Sequence, residues 1–108
     1  MERNEKGSLW RAASSNHRRR GRTRGVYKSI SMLGLGADNI ETVSSDDQGA
    51  MRADQMPKLA EPALVIAQVG NVNSGAIDPV GDICDRARAS GSWVHVDGAF
   101  GLWARVLP

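Results

Sequence analysis

The chain has few cysteines, few aromatic residues and no long apolar run. Its 108 residues include one cysteine, Cys84, so internal disulfides are excluded and a reducing, cytoplasmic setting is the default expectation. No apolar stretch approaches the roughly 18–20 residues of a membrane span, and the N-terminus lacks the apolar core of a signal peptide. Hydrophobic residues at 41% and charged residues at 24% are typical of one small globular domain.

The net charge of +2 conceals an uneven distribution of charge. Residues 1–28 carry nine Lys or Arg and two Glu (+7), whereas residues 29–108 carry five Lys or Arg and ten Asp or Glu (−5). Residues 1–24 have no persistent helical or strand period, and we expect a disordered or non-native basic segment there. The arginine-rich run at 18–24 leaves a nucleic-acid-binding fragment open as an alternative, although a solvated tail is the favoured interpretation.

A regular spacing of apolar residues begins at Val26. Val26, Ile30 and Leu33 recur at spacings that place them on one face of a short helix. Further along, Asp78 is predicted to cap a helix that begins with Pro79. The other predicted elements are a strand at 39–45, a turn at 46–49, a weak helix at 53–60, a strand at 63–69, a helix at 79–89 and a strand at 93–97.

The order strand, loop, helix, strand between residues 63 and 97 predicts a parallel βαβ unit. Ligands of open α/β sheets bind beyond the carboxyl ends of the strands, so loop 70–78 and residues 97–101 should be neighbours at such a site. Side chains alternate along a strand, which puts Trp93, His95 and Asp97 on one face. A buried carboxylate needs a partner, and the protonated ring nitrogen of a planar ligand would provide one for Asp97.

Two long stretches of the sequence resemble one enzyme family. "GNVNSGAIDPVGDICDRARASGSWVHVDGAFG" (70–101) and "VYKSISMLGLGADNIETVSSDDQGAMRADQM" (26–56) are similar to group II pyridoxal-phosphate-dependent amino-acid decarboxylases. The resemblance covers residues 25–108. It implies part of the large domain of a fold-type I enzyme, an α/β fold with a mostly parallel sheet and flanking helices. It also implies a carboxy-lyase activity in the intact relative, which is expected to be a homodimer that acts on an amino acid.

The resemblance implies a role for each candidate cofactor-binding residue. Asp97 would pair with the pyridine nitrogen of pyridoxal phosphate, and Ala99 would pack against the ring. Asn71 and Asn73 would line the cofactor side of the loop, and His95 would orient the region around Asp97. No residue of the chain is predicted to bind a metal.

The chain departs from the family's pattern at three places. The Schiff-base lysine is expected beyond the "HVDGAFG" motif, and Lys28 and Lys58 match other positions of the pattern. The ring-stacking histidine of the family would fall at Thr23, and the phosphate-binding segment is expected further upstream. We therefore name no catalytic residue in this chain and expect little or no decarboxylase activity from it alone.

The residues alone leave less specific interpretations open. Asp97 could be a structural carboxylate, and His95 and Trp93 could be packing residues. Asn71 and Asn73 could provide turn geometry, because Asn tolerates the left-handed conformation. Within enzymes, the alternative function is another fold-type I reaction, that of an aminotransferase or a lyase.

Overall fold

The computed structural model describes residues 12–15 and 22–108, which form a parallel sheet flanked by helices. The elements are β1 (Ala12–Ser15), α1 (Arg22–Met32), β2 (Ile40–Val43), β3 (Leu64–Gln68), α2 (Val80–Arg88) and β4 (Trp93–Asp97), with short 3-10 helices at Ala37–Asn39, Ala53–Gln55 and Leu102–Val106. The strands follow the spatial order β2-β1-β3-β4, and each neighbouring pair is parallel. This arrangement confirms the predicted α/β class.

Strand β1 lies inside the sheet, between β2 and β3. Ala12 is in register with Ile40 on one side and with Leu64 on the other. The sequence predicted no strand within residues 1–24, and the structure differs here because small Ala and Ser side chains give no strand signal of their own. Pairing on both sides fixes the extended backbone instead. Residues 1–11 and 16–21 lie outside the described part, so the boundary at residue 24 stays a prediction.

The predicted βαβ unit is present and provides the hydrophobic core. Strands β3 and β4 pair in parallel from Leu64 opposite Trp93 to Gln68 opposite Asp97. Alternate residues of β3 are buried against α2, whose Ile83 and Ala87 pack into the core. Burial of each large aliphatic side chain stabilises the fold by about 1.5–3 kcal/mol. The core cluster contains Val43, Met51, Ala53, Met56, Val65, Ala67, Ile83 and Ala87, with Leu59, Val80 and Val94 packed against it.

The start of α2 differs from the prediction. Pro79 occupies the cap position, and no side chain caps the helix. The Asp78 carboxylate, only 3% exposed, accepts main-chain hydrogen bonds from Met51 and Gln68 at 2.7 Å each. The Asp-Pro pair is typical of a helix start, but it carries no information about a donor that lies far away in the sequence.

Two smaller elements also differ from their predicted bounds. Helix α1 begins at Arg22, four residues before the predicted start at Val26. The weak helix predicted at 53–60 shrinks to one 3-10 turn, Ala53–Gln55, shortly before Pro57. Cys84 is half-buried on α2. Within residues 12–15 and 22–108, no helix combines the length and apolarity needed to cross a membrane.

Candidate functional site

A cavity of about 560 Å³ lies between α1 and the face of the sheet that points away from α2. Small-molecule sites in proteins typically measure roughly 300–1,000 Å³, so the cavity has the volume of a ligand site. Its lining is mostly apolar, and the ionisable side chains in it are those of Asp97 and His95. The helix contributes Gly25, Val26, Ser29, Ile30 and Leu33, and the sheet contributes Leu64, Ile66, Trp93, His95 and Asp97.

Asp97 ends β4 with its half-buried carboxylate among the cavity-lining groups. Its carbonyl oxygen accepts a hydrogen bond from the Val69 N–H at 2.9 Å, which fixes the main chain at the strand end. Its Oδ1 accepts a hydrogen bond from the Ala99 N–H at 3.1 Å. Among the described residues, none donates to Oδ2. One carboxylate oxygen is therefore held by the protein, and the other remains available to a ligand.

His95 and Trp93 share the cavity face with Asp97, which confirms the predicted alternation along β4. His95 is exposed and Trp93 is 68% exposed, so neither belongs to the hydrophobic core of the described residues. The interpretation of both as packing residues and the role of His95 near Asp97 stay predictions. Strand β4 lies at one edge of the described sheet, and both residues line the cavity between the sheet and α1. His95 therefore contributes a polar, solvent-accessible side chain beside the carboxylate.

Ala99 lies in the turn that follows β4 and is exposed. Its N–H donates to Asp97, and its carbonyl oxygen accepts a hydrogen bond from Trp103 Nε1 at 3.1 Å. Its side chain is not among the groups that line the cavity. Ala99 thus contacts the carboxylate through its main chain, while its methyl group is exposed beside the site.

The two loop asparagines occupy different environments. Asn71 is 2% exposed, and its Oδ1 accepts hydrogen bonds from the N–H groups of Asn73 and Ser74 at 2.9 and 3.4 Å. This geometry is an Asx turn, so the oxygen of Asn71 serves the loop itself. Asn73 is exposed, and neither asparagine lines the cavity. Their predicted contact with a cofactor stays a prediction.

Loop 70–78 and residues 97–101 are neighbours, as expected from the βαβ topology. The Gly101 N–H donates to the Val69 carbonyl oxygen at 3.0 Å. The loop is closed by two main-chain hydrogen bonds, from Gly70 and Asn71 to Ala76, at 3.2 and 2.8 Å. Sequence reasoning missed the buried Asp78 at the base of this loop, since its pattern also fits a helix cap.

Neither lysine of the described residues lines the cavity. Lys28 and Lys58 are both exposed. The described ranges contain no cluster of three or more His, Cys, Asp or Glu side chains that could hold a metal ion. Within these ranges the cavity thus offers a carboxylate and an imidazole, with no amine nucleophile.

No family model matches the chain, but curated proteins are similar to a part of it. The chain is 37% identical over 84 residues to cysteine sulfinic acid decarboxylase of Rattus norvegicus. This alignment covers 70% of this chain and 17% of the relative. The chain thus spans about one sixth of that protein's length. Over these residues it resembles the group II pyridoxal-phosphate-dependent amino-acid decarboxylases, as expected from the sequence.

Solved structures agree with this resemblance. The crystal structure of mouse CSAD matches 89% of this chain and 21% of its own, with a TM-score of 0.72 and 28% identity. The crystal structure of Oryza sativa TDC with PLP matches 88% of this chain and 22% of its own, with a TM-score of 0.69 and 23% identity. The second similarity establishes the fold alone.

Proposed function

We propose that this chain is part of the cofactor-binding domain of a pyridoxal-phosphate-dependent amino-acid decarboxylase. The observation that carries the proposal is the position of the Asp97 carboxylate, which lines a mostly apolar cavity of about 560 Å³. Its Oδ1 accepts a hydrogen bond from Ala99, and its Oδ2 has no donor among the described residues. The 37% identity to the rat decarboxylase supports the proposal. The chain spans 17% of that relative. The decarboxylase activity of a longer protein that includes this chain is therefore also part of the proposal.

The residues at the end of β4 fit the pyridine ring of pyridoxal phosphate. A carboxylate in apolar surroundings favours a cationic donor, and a pyridinium N–H is such a donor. Asp97 would keep the proton on the ring nitrogen, while the Ala99 N–H holds the other carboxylate oxygen at 3.1 Å. The bound cofactor would supply an electron sink for the pair of electrons that decarboxylation leaves on the substrate's α-carbon.

The other candidate residues have supporting roles in this proposal. Ala99 presents only a methyl group beside Asp97, which leaves room for a flat ring. His95 offers a polar side chain on the same face of β4. Asn71 keeps the loop closed through its side-chain oxygen, and Asn73 is exposed on the same loop. These placements favour Asp97 as the principal cofactor contact of this chain.

The isolated chain is expected to have little or no decarboxylase activity. Covalent capture of the cofactor needs a lysine amine within reach, and neither Lys28 nor Lys58 lines the cavity. Incubation with pyridoxal phosphate and each amino acid, followed by detection of released CO2, tests this expectation. More CO2 release than pyridoxal phosphate gives without the chain would contradict this expectation.

The proposal extends to the setting and assembly of the whole protein. A cytoplasmic location is proposed because the single cysteine, Cys84, cannot form a disulfide within the chain. A homodimeric state is proposed from the family resemblance alone. The basic run at 18–24 lies largely outside the described residues, and nucleic-acid binding would need a salt-dependent mobility shift that deletion of residues 1–24 abolishes.

The test of the cofactor site compares the chain with its Asp97→Asn variant. We would titrate each with pyridoxal phosphate labelled with 15N in the ring, and follow both the affinity and the ring nitrogen resonance. Loss of a charge-assisted hydrogen bond should weaken binding by about ten- to hundredfold, and the upfield nitrogen shift of the protonated ring should disappear. Asp47→Asn, at an exposed turn residue, is the matched control.

Either of two results would contradict the cofactor site. The first is equal affinity and equal nitrogen shift in Asp97→Asn and the parent chain. The second is no binding of pyridoxal phosphate by the parent chain. For a longer protein that includes this chain, amine plus CO2 as products would support a decarboxylase, whereas a keto acid would identify an aminotransferase.

A further inference from the structure

We propose that Gly70 and Gly101 position the Asp97 carboxylate through a direct contact between their main chains. Neither glycine lines the cavity, and both lie next to Val69 at the carboxyl end of β3. The inference rests on the proposed function only in its second part, the effect on cofactor binding. The first part concerns the geometry of the carboxylate itself.

Val69 forms main-chain hydrogen bonds with both ends of the turn that follows β4. Its N–H donates to the Asp97 carbonyl oxygen at 2.9 Å, and its carbonyl oxygen accepts from the Gly101 N–H at 3.0 Å. Residues 98–100 are therefore closed into a loop that is anchored to Val69, the residue directly after β3. Inside this loop, the Ala99 N–H reaches Asp97 Oδ1 at 3.1 Å. The direction of the Ala99 N–H, and with it the rotamer of Asp97, depends on the anchored loop.

The anchoring requires glycine on both sides of the contact. A Cβ on Gly70 would lie 2.6 Å from the Gly101 Cα and 2.8 Å from its N, closer than real Cβ atoms approach. A Cβ on Gly101 would overlap the Val69 carbonyl oxygen and lie 2.8 Å from the Gly70 Cα. The obstacles are main-chain atoms, which cannot move aside as a side chain can. Gly70 also has a φ of +88°, a conformation that L-residues rarely adopt.

A methyl group on Gly101 would therefore separate the turn from β3. The hydrogen bond from Gly101 to Val69 would open first, because the new methyl overlaps its acceptor. The Ala99 N–H would then lose its fixed direction and release Asp97 Oδ1. The hydrophobic core, which is centred on Val65 and Ile83, would keep its contacts because neither glycine belongs to it.

The first experiment measures amide hydrogen exchange in Gly101→Ala and in Gly81→Ala. Gly81 is the matched control, since a Cβ there meets nothing within 4 Å. In Gly101→Ala, protection of the Ala99 amide should fall by about ten- to hundredfold. Protection of the Ile83 amide, which bonds to Pro79 in α2, should stay within about threefold of the parent value. Unchanged protection at Ala99 would overturn the proposal.

If Gly101→Ala fails to fold, amide hydrogen exchange in the parent chain tests the positioning role instead. An anchored loop should open as one unit, so the amides of Val69, Ala99 and Gly101 should have the same opening free energy. Independent exchange of Ala99, much faster than that of the other two, would overturn the positioning role.

The second experiment separates positioning from the proposed function. Gly101→Ala should weaken binding of 15N-labelled pyridoxal phosphate by about tenfold and reduce the upfield nitrogen shift. Retained affinity in Gly101→Ala, with binding lost in Asp97→Asn, would overturn the positioning role and leave the cofactor site supported. Reduced Ala99 protection in Gly101→Ala, with no binding by the parent chain, would support the positioning of Asp97 and contradict the cofactor site.

Discussion

The Asp78 carboxylate accepts a hydrogen bond from the main-chain N–H of Met51, 27 residues earlier in the chain, at 2.7 Å. Its second oxygen accepts from the Gln68 N–H at 2.7 Å. One buried side chain thus joins the segment after β2 to the end of β3 and to the start of α2. A second link lies nearby, where the Ser74 hydroxyl donates to the Gln48 carbonyl oxygen at 2.5 Å.

Replacement of Asp78 should destabilise the fold strongly. Asp78→Ala leaves the buried N–H of Met51 and the part-buried N–H of Gln68 without their acceptor, and we expect a loss of roughly 2–5 kcal/mol in the free energy of unfolding. Asp47→Ala removes a carboxylate from an exposed turn and should change it by less than about 0.5 kcal/mol. Urea unfolding followed by far-UV circular dichroism measures both, and equal midpoints would show that the Asp78 links contribute nothing.

Enlargement of the side chain at position 99 should affect ligand binding without affecting stability. Ala99 is exposed, so Ala99→Leu should leave the thermal midpoint unchanged within error. The larger side chain would occupy the space beside Asp97 and weaken pyridoxal phosphate binding by about tenfold or more, a loss typical of removing one good contact. Ala60→Leu, also on the surface, is the control. Equal affinities for the two variants would exclude Ala99 from the cofactor site.

The isolated chain should self-associate through the edge formed by β4. Among the described strands, β4 has a neighbour on one side only, and Trp93 on it is 68% exposed. Lysine on an edge strand opposes pairing with a second chain, so Trp93→Lys should increase the soluble fraction after purification. Met32→Lys introduces the same charge at a 78% exposed position on α1. Light scattering that falls equally in both variants would indicate a general charge effect and exclude a specific role of β4.

The sequence was sufficient to predict the βαβ unit because its signals are local. The apolar run that becomes β3, the amphipathic spacing of α2 and the strand that ends at Asp97 each depend on neighbouring residues only. Strand β1 escaped prediction because Ala12–Ser15 have small side chains, and their extended form depends on two partner strands. Contacts that join distant residues are absent from any local pattern.

The same distinction applies to the candidate site. The alternation that puts His95 and Asp97 on one face is a local property of a strand, and the cavity confirms it. The turn role of Asn71 was open to sequence reasoning as an alternative, because Asn is common in such turns. The close approach of Gly70 and Gly101 was not predictable, since it depends on how the ends of β3 and β4 meet.

The two faces of the sheet separate the determinants of folding from those of recognition. Val65 and Ala67 belong to the buried face, whereas Ile66 and His95 line the cavity on the other. A library randomised at the cavity positions would therefore leave the packed face intact. The cavity-lining residues and the core residues alternate along the same strands. Selection can therefore change which ligand the cavity binds without changing the topology of the sheet.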